Sequence, residues 1–155
     1  MFFECTMTDC FVCTKHKTLT SDLTIDIDGY DDFVVAHAPD RTEDGSNLIG
    51  ALIIEPRTHV QNWSELSPEQ AGKLGFLIGQ ITGLLYAHEE IEHVYTWVFG
   101  DAVAHLHVWL MPRYKGTPRE YWGTKVTEWP EAPKGGHVEM AQFISKLKAL
   151  MTESV

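Results

Sequence analysis

Long apolar runs are missing from this sequence of 155 residues. No segment approaches the roughly 20 consecutive apolar residues that a membrane-spanning helix needs, so we expect no membrane partner. The first residues, Met-Phe-Phe-Glu-Cys-Thr, lack the basic stretch and apolar core of a secretory signal. These absences predict a cytoplasmic protein, and its ordinary length predicts a single domain over residues 1–155.

Basic residues are scarce. The chain has 12 Lys and Arg against 22 Asp and Glu, a formal net charge of −10 that argues against binding nucleic-acid backbones. Segment 113–125 differs from the rest, because Glu120 is the only acidic residue among four basic ones: Arg113, Lys115, Arg119 and Lys125. This segment predicts a site for a small anion such as a nucleotide phosphate, with Arg113 and Arg119 as candidates; a solvated loop is the alternative.

Cysteines are also few, and Cys5, Cys10 and Cys13 all lie within the first 13 residues. An odd number crowded at one end makes a poor disulfide framework. The two-residue gap between Cys10 and Cys13 suits two thiolates on one tetrahedral zinc, with His59 and His105 as distant partners. Redox chemistry and two inert thiols remain the alternatives, although no βαβ unit follows the pair.

Strand patterns alternate with turn residues along the first half of the chain. Residues 22–30 and 33–37 predict two short strands joined by an Asp/Gly turn, and 48–54 predicts a central strand ended by Pro56. Two more strands are predicted near 93–99 and 104–111, followed by a long loop to about residue 136.

Two helices complete the prediction. Ser67 and Gln70 form a capping box around Pro68, and apolar spacing carries this helix to about His88. Its glycines, at every third or fourth position, predict a smooth stripe for close packing: Gly72, Gly75, Gly79 and Gly83. A second helix is predicted from His137. The fold class is therefore α+β, with a largely antiparallel sheet of about five strands.

The segment His105-Leu-His107-Val-Trp109 carries the clearest chemical signal. If it is a strand, its alternating side chains place both imidazoles and the indole on one face. Two imidazoles two residues apart can converge on one ligand or one metal, although a His-x-His pair also occurs on ordinary polar sheet faces.

Four motifs together resemble the histidine triad (HIT) family. They are Cys-Phe-Val-Cys (10–13), Gly-Ala-Leu-Ile-Ile-Glu-Pro-Arg-Thr-His (50–59), Leu-Ser-Pro-Glu (66–69) and Val-Ala-His-Leu-His-Val-Trp-Leu-Met-Pro-Arg (103–113). Their order and spacing cover about two thirds of the chain. The resemblance implies the family's α+β fold, a homodimer, and a small-molecule nucleotide bound over the sheet.

The same resemblance implies roles for individual residues. A structural zinc would be held by Cys10, Cys13, His59 and His105. His107 would be the nucleophile that takes up a nucleoside monophosphate, and His37 would contact the nucleoside. Trp109 stands at the third triad position, whose residue touches the phosphate or leaving group in relatives.

Three departures from the family pattern bear on activity. Trp109 replaces a histidine, Asp101 and Ala102 replace Gln and Ser or Thr, and Ala51 replaces a further histidine. Indole has an N–H donor but no acid–base capacity. The leading hypothesis is a hydrolase or transferase that cleaves a phosphoanhydride or phosphoramidate bond at a nucleotide α-phosphate. A nucleotide-binding protein with little turnover and a zinc-stabilised interaction domain are the alternatives.

Overall fold

The computed structural model describes residues 9–40 and 44–153, so Cys5 lies outside the described residues. These described residues form six strands: β1 (Phe33–His37), β2 (Asn47–Leu48), β3 (Leu52–Pro56), β4 (Ile91–Trp97), β5 (Val108–Tyr114) and β6 (Lys134–Gly135). The main sheet has the order β1-β3-β5-β4 with every pair antiparallel, while β2 and β6 form a separate two-stranded ladder. The predicted α+β class is confirmed, with four strands in the main sheet rather than about five.

The part of the chain that the structure describes also contains three α-helices: α1 (Phe11–His16), α2 (Pro68–Tyr86) and α3 (His137–Glu153). The predicted start of α2 is confirmed, because Ser67 Oγ accepts from Gln70 N–H and Ser67 N–H donates to Gln70 Oε1, both at 3.1 Å. None of the helices within the described ranges combines the length and apolar character needed to cross a membrane.

The two faces of the sheet have different neighbours. On the first face, α2 lies against β3, β4 and β5, and α3 packs on α2. This covered face and the helices provide the fully buried core, which includes Leu52, Ile54, Val108, Leu110, Leu74, Leu77 and Leu147. Strand register pairs Ile53 with Trp109 and Trp109 with Trp97, so these three residues share the opposite face. We call it the cavity face, because the cavity described below lies over it.

The predicted strand over residues 22–30 is wrong beyond a single bridge. Thr24 bridges to Ala36 of β1, with Ile25 N–H donating to Val35 O and His37 N–H donating to Leu23 O, both at 2.9 Å. After this point the chain turns at Gly29, whose φ is +84°. The apolar–polar alternation is real, but the Asp/Gly turn ends the pairing before a ladder can form.

The glycine stripe of α2 faces outward. A Cβ added at Gly72, Gly75, Gly79 or Gly83 would meet no atom within 4 Å outside the helix's own backbone, and all four residues are exposed. The prediction of close packing along these glycines is therefore wrong for the described chain. The helix turns its leucine face to the sheet, and the glycines lie on the other side.

Candidate functional site

Four potential metal ligands come from three separate segments. Cys10 caps the N-terminus of α1 and Cys13 lies one turn later, while His59 follows β3 and His105 precedes β5. Their donor atoms all lie within 4.8 Å of one another. Cys10, Cys13 and His105 are buried, and His59 is partly exposed. The structure therefore brings together the four residues that the sequence predicts.

The distances within this cluster fit a tetrahedral metal site. Cys13 Sγ lies 3.5 Å from His105 Nδ1 and 3.6 Å from His59 Nδ1, and Cys10 Sγ lies 3.6 Å from His105 Nδ1. The two Nδ1 atoms are 3.2 Å apart. Zinc bonds of ordinary length at tetrahedral angles would place ligand atoms about 3.6 Å apart for S–N pairs and about 3.3 Å for the N–N pair.

A backbone carbonyl orients the ring of His105. Nε2 lies 2.8 Å from the carbonyl oxygen of Pro56, so a proton on Nε2 makes a hydrogen bond there and leaves the Nδ1 lone pair facing the cluster. Burial lowers the pKa of His105 to about 4, so its ring is neutral near pH 7. A neutral, buried imidazole aimed at two thiols and another imidazole is a suitable metal ligand.

His107 lies just before β5 and borders a cavity rather than the metal cluster. Its Nδ1 is 2.6 Å from the carbonyl oxygen of His105. With the proton on Nδ1, this contact is a hydrogen bond, and Nε2 keeps an unprotonated lone pair. The prediction that His105 and His107 share a face of a strand is wrong, because β5 begins only at Val108. Bends before the strand direct the two rings to different sites.

The cavity next to His107 has a volume of about 350 Å³ and lies over the cavity face of the sheet. Its wall is mainly apolar and aromatic, formed by α1, the sheet, the 99–103 loop and single residues from other loops. The lining residues are Phe11, Val12, Lys15, Pro39, Ile53, Glu55, Trp97, Phe99, Gly100, Asp101, Ala102, Val103, His107, Trp109, Met111 and Thr127. A volume of this size suits a small organic ligand.

Trp109 also lines this cavity, beside His107. The two ring centroids are 6.3 Å apart and nearly perpendicular, with an interplanar angle of 77°. Trp109 is partly buried and packs against the core, and its indole nitrogen has no hydrogen bond to any residue that the structure describes. Its position is therefore compatible both with a packing role and with an N–H directed to a ligand.

The structure does not bring His37 to the cavity. Its ring is 3% exposed and lies at 6.4 Å from Phe143 of α3, on the covered face. Nδ1 lies 2.9 Å from Ala38 O, and Nε2 accepts a hydrogen bond from Gly50 N–H at 2.9 Å. Gly50 has φ +89°, and a Cβ there would lie 2.8 Å from Phe143 Cζ. Both ring nitrogens of His37 therefore form hydrogen bonds within the fold. This arrangement gives no support to a contact between His37 and a nucleoside.

Arg113 and Arg119 lie away from the cavity lining. Arg113 is near the far end of β5, six residues from His107, which corresponds to about 20 Å of extended chain. Its guanidinium lies 3.3 Å from both Glu92 Oε2 and Tyr95 Oη and 3.8 Å from the Trp122 ring centroid. Arg119 is exposed, 5.7 Å from the same ring. The clustering of charge in segment 113–125 is real, but this geometry does not support a phosphate site at His107.

The sequence reasoning missed Lys15 and Glu55. Glu55 is 1% exposed, and its carboxylate accepts hydrogen bonds from Lys15 Nζ at 2.6 Å and from His16 Nε2 at 2.8 Å. Burial raises the pKa of Glu55, but the hydrogen bonds and charges of His16 and Lys15 together lower it by more. The pKa of Glu55 therefore lies below its usual value. The sequence does contain one indication of this pair. Glu55 directly follows the apolar run 48–54, and a carboxylate buried at the end of such a strand requires a charged partner.

The comparisons agree on one fold. No protein-family model and no curated protein matches the chain. Among solved structures, a Zn-bound histidine triad family protein from Mycobacterium smegmatis aligns with a TM-score of 0.65 at 12% identity, over 96% of this chain and 99% of that chain. Plasmodium falciparum diadenosine triphosphate hydrolase, in complex with cyclomarin A, gives 0.59 at 11% identity, over 87% of this chain and 80% of that one.

A longer protein matches in part. The NitFhit protein of C. elegans gives a TM-score of 0.58 at 14% identity, over 85% of this chain, which spans only 28% of that protein. These identities are low, so the likeness concerns the fold. The resemblance that the motifs imply is therefore matched by the backbone, and the chain has the fold of the histidine triad proteins.

Proposed function

We propose that the chain binds a nucleotide in the cavity beside His107 and cleaves it at the α-phosphate through a His107-nucleotidyl intermediate. The observation that carries this proposal is the hydrogen-bonded Nδ1 of His107, because it leaves Nε2 as a nucleophile at the wall of a ligand-sized cavity. A solved structure of the same fold is a diadenosine triphosphate hydrolase, and this supports a nucleotide as the substrate of this chain.

The proposed reaction has two displacements at phosphorus. In the first, the Nε2 lone pair forms an N–P bond while the bond from phosphorus to the leaving oxygen or nitrogen breaks, and the leaving group departs with that electron pair and takes up a proton. In the second, water attacks phosphorus, loses a proton, and the N–P bond breaks to restore His107. The carbonyl of His105 stabilises the positive charge that develops on the ring during attack.

A second candidate function is nucleotide binding with little turnover. The observation that favours it is the composition of the cavity wall beside His107, where Trp109 and Ala102 have no acid–base capacity. Either function uses the same cavity, and they differ only in the rate of the chemical steps. A zinc-stabilised interaction domain is the third possibility, and it requires no nucleotide binding at all.

We also propose that the metal is one structural zinc. Two thiolates and two imidazoles are its preferred ligands, and four protein ligands leave no open position for substrate. In this proposal the ion fixes α1 to the segments that follow β3 and precede β5. A Zn-bound neighbour of the same fold supports the assignment.

Homodimerisation is the remaining part of the proposal. Strand β4 is an edge of the main sheet, and two exposed aromatic side chains lie close to it: Tyr86, whose Oη is 3.2 Å from His93 Nδ1, and Phe99, two residues after the strand. An uncovered sheet edge with exposed aromatics favours pairing with a second copy. Sedimentation should then give twice the mass of one chain.

Incubation with a radiolabelled nucleotide tests the function. We expect an acid-labile adduct and product release with the wild type, and loss of both by roughly 10³-fold or more in His107→Ala. His137→Ala is the matched control, because this histidine is exposed on α3 and does not line the cavity. An adduct that forms without product release would favour the second candidate function, nucleotide binding with little turnover. Wild-type turnover in His107→Ala would contradict the proposed mechanism.

A further inference from the structure

The proposed substrate brings a phosphate to His107, and this anion needs a positive partner. The basic residues that the sequence favours, Arg113 and Arg119, do not line the cavity. Among the described residues that line it, Lys15 is the only lysine or arginine.

One contact and the end of one strand pairing place Lys15 near His107. Its Nζ donates to Glu55 Oε1 at 2.6 Å, and Glu55 is on β3. The ladder between β3 and β5 ends at the pair Ile54–Val108, so Glu55 and His107 are the next residues along the two chains, and both line the cavity. Lys15 is thus held by a residue at the end of the β3–β5 ladder, in the same cavity wall as the proposed nucleophile.

The ammonium keeps capacity for a ligand. A lysine has three N–H donors, and within the described part of the chain the one side-chain partner of Lys15 is Glu55. The Lys15 side chain is 11% exposed against 2% for Glu55, so the cation rather than the carboxylate is the accessible half of the pair. An ion pair in a mainly apolar wall is weakly screened by solvent, which strengthens its interaction with a bound anion.

We propose that Lys15 is the residue that binds the ligand's phosphate beside His107, with Glu55 holding the ammonium in place. This inference rests on the proposed function. Glu55 balances the charge of Lys15 when no anion is bound. When the nucleotide enters, its phosphate accepts hydrogen bonds from the remaining N–H donors of Lys15. Lys15 therefore determines preference for a phosphorylated ligand over the corresponding nucleoside.

Calorimetric titration with four probes tests this role: adenosine and guanosine monophosphate and the two parent nucleosides. For a nucleoside monophosphate that the wild type binds, Lys15→Gln should weaken affinity on the order of 10-fold to 100-fold, as expected for a lost charged hydrogen bond. Nucleoside affinity should stay unchanged, and the salt dependence of monophosphate binding should decrease. Lys17→Gln is the matched control, because Lys17 is an exposed lysine just beyond the same helix.

A second variant addresses folding. Lys15→Gln leaves the buried Glu55 without its lysine, so the double variant Lys15→Gln with Glu55→Gln removes both charges and should show the same loss of monophosphate affinity. Equal metal content in each variant verifies that α1 is intact. Undiminished monophosphate affinity in the double variant overturns the role of Lys15 and leaves the proposed function standing. A wild type that binds none of the four probes overturns both.

Discussion

His107 Nδ1 lies 2.6 Å from the backbone carbonyl oxygen of His105, whose own ring belongs to the metal cluster. The same residue therefore provides a side chain to the cluster and a hydrogen-bond acceptor to the proposed nucleophile. Any change that moves His105 should rotate the ring of His107 as well. A metal with no open position could thus influence the reaction through the backbone.

The first prediction concerns the metal. Purified wild type should contain one zinc per chain by elemental analysis, and Cys13→Ser should lose it, because removing one ligand opens the tetrahedral shell. The melting temperature should fall more than adduct formation at His107 slows. Cys5→Ser is the control, since Cys5 is not in the proposed ligand set, and it should keep its zinc. Equal zinc in the wild type and in Cys13→Ser would contradict the site.

The second prediction separates two roles of Trp109. If its N–H donates to the phosphate or leaving group, Trp109→Phe should slow single turnover on the order of 10²-fold, the usual effect of one lost transition-state donor. If the indole only packs, Trp109→Phe should be nearly silent, and Trp109→Ala should lower the free energy of unfolding by about 3 kcal/mol. We expect the first result, because the indole nitrogen has no partner among the described residues.

Restoring the residue that is usual in the family gives a complementary measurement. Trp109→His should raise hydrolysis if the missing imidazole limits turnover. A Trp109→Phe variant with wild-type single-turnover rates would instead assign the indole to packing alone. Unfolding by urea, monitored for each variant, separates loss of chemistry from loss of structure.

The third prediction concerns Arg113. Arg113→Gln should leave nucleotide affinity unchanged, because this side chain contacts Glu92, Tyr95 and Trp122 rather than the cavity. Loss of the stacked guanidinium should lower the free energy of unfolding by about 1 kcal/mol. Arg119→Gln, at an exposed position, should change stability by less than about 0.5 kcal/mol. A marked drop in affinity in Arg113→Gln would return the phosphate site to this segment.

The fourth prediction follows from His37. Burial lowers its pKa below the ordinary 6.5, so the folded state holds the ring neutral while the unfolded state protonates it as the pH falls. This contribution to stability is complete above pH 6.5 and is lost progressively below it. His37→Gln should therefore cost about 1–3 kcal/mol at pH 8 and less at pH 5.5, as measured by urea unfolding at both values. An equal cost at both pH values would contradict the neutral buried ring.

Local patterns predict the elements of this fold better than they predict its pairings. The caps around Ser67 are properties of adjacent residues, so α2 begins where the sequence indicates. The metal ligands Cys10, Cys13, His59 and His105 were predicted through motif resemblance, and the structure gathers them. The strand over residues 22–30 is overpredicted. Alternation of apolar and polar residues indicates which side chains can be buried, but it does not indicate over how many residues a neighbouring strand pairs with the segment.

The site is harder to predict where charges find partners across the fold. Segment 113–125 is basic in sequence, yet Arg113 is paired with Glu92 of β4, an acidic residue 21 positions earlier. Lys15 is unremarkable in sequence and becomes significant only because α1 sets it against Glu55. Such pairings depend on strand order and register, which sequence periodicity does not encode.

The pairing of Trp97 with Trp109 has an optical consequence. These two of the chain's five tryptophans lie opposite each other on neighbouring strands, and both line the cavity, whereas Trp63, Trp122 and Trp129 do not. A purine ring entering the cavity would stack near indoles whose emission is sensitive to such contact. Quenching of intrinsic fluorescence would then report cavity occupancy without a label, and a Trp97→Phe variant would assign the signal.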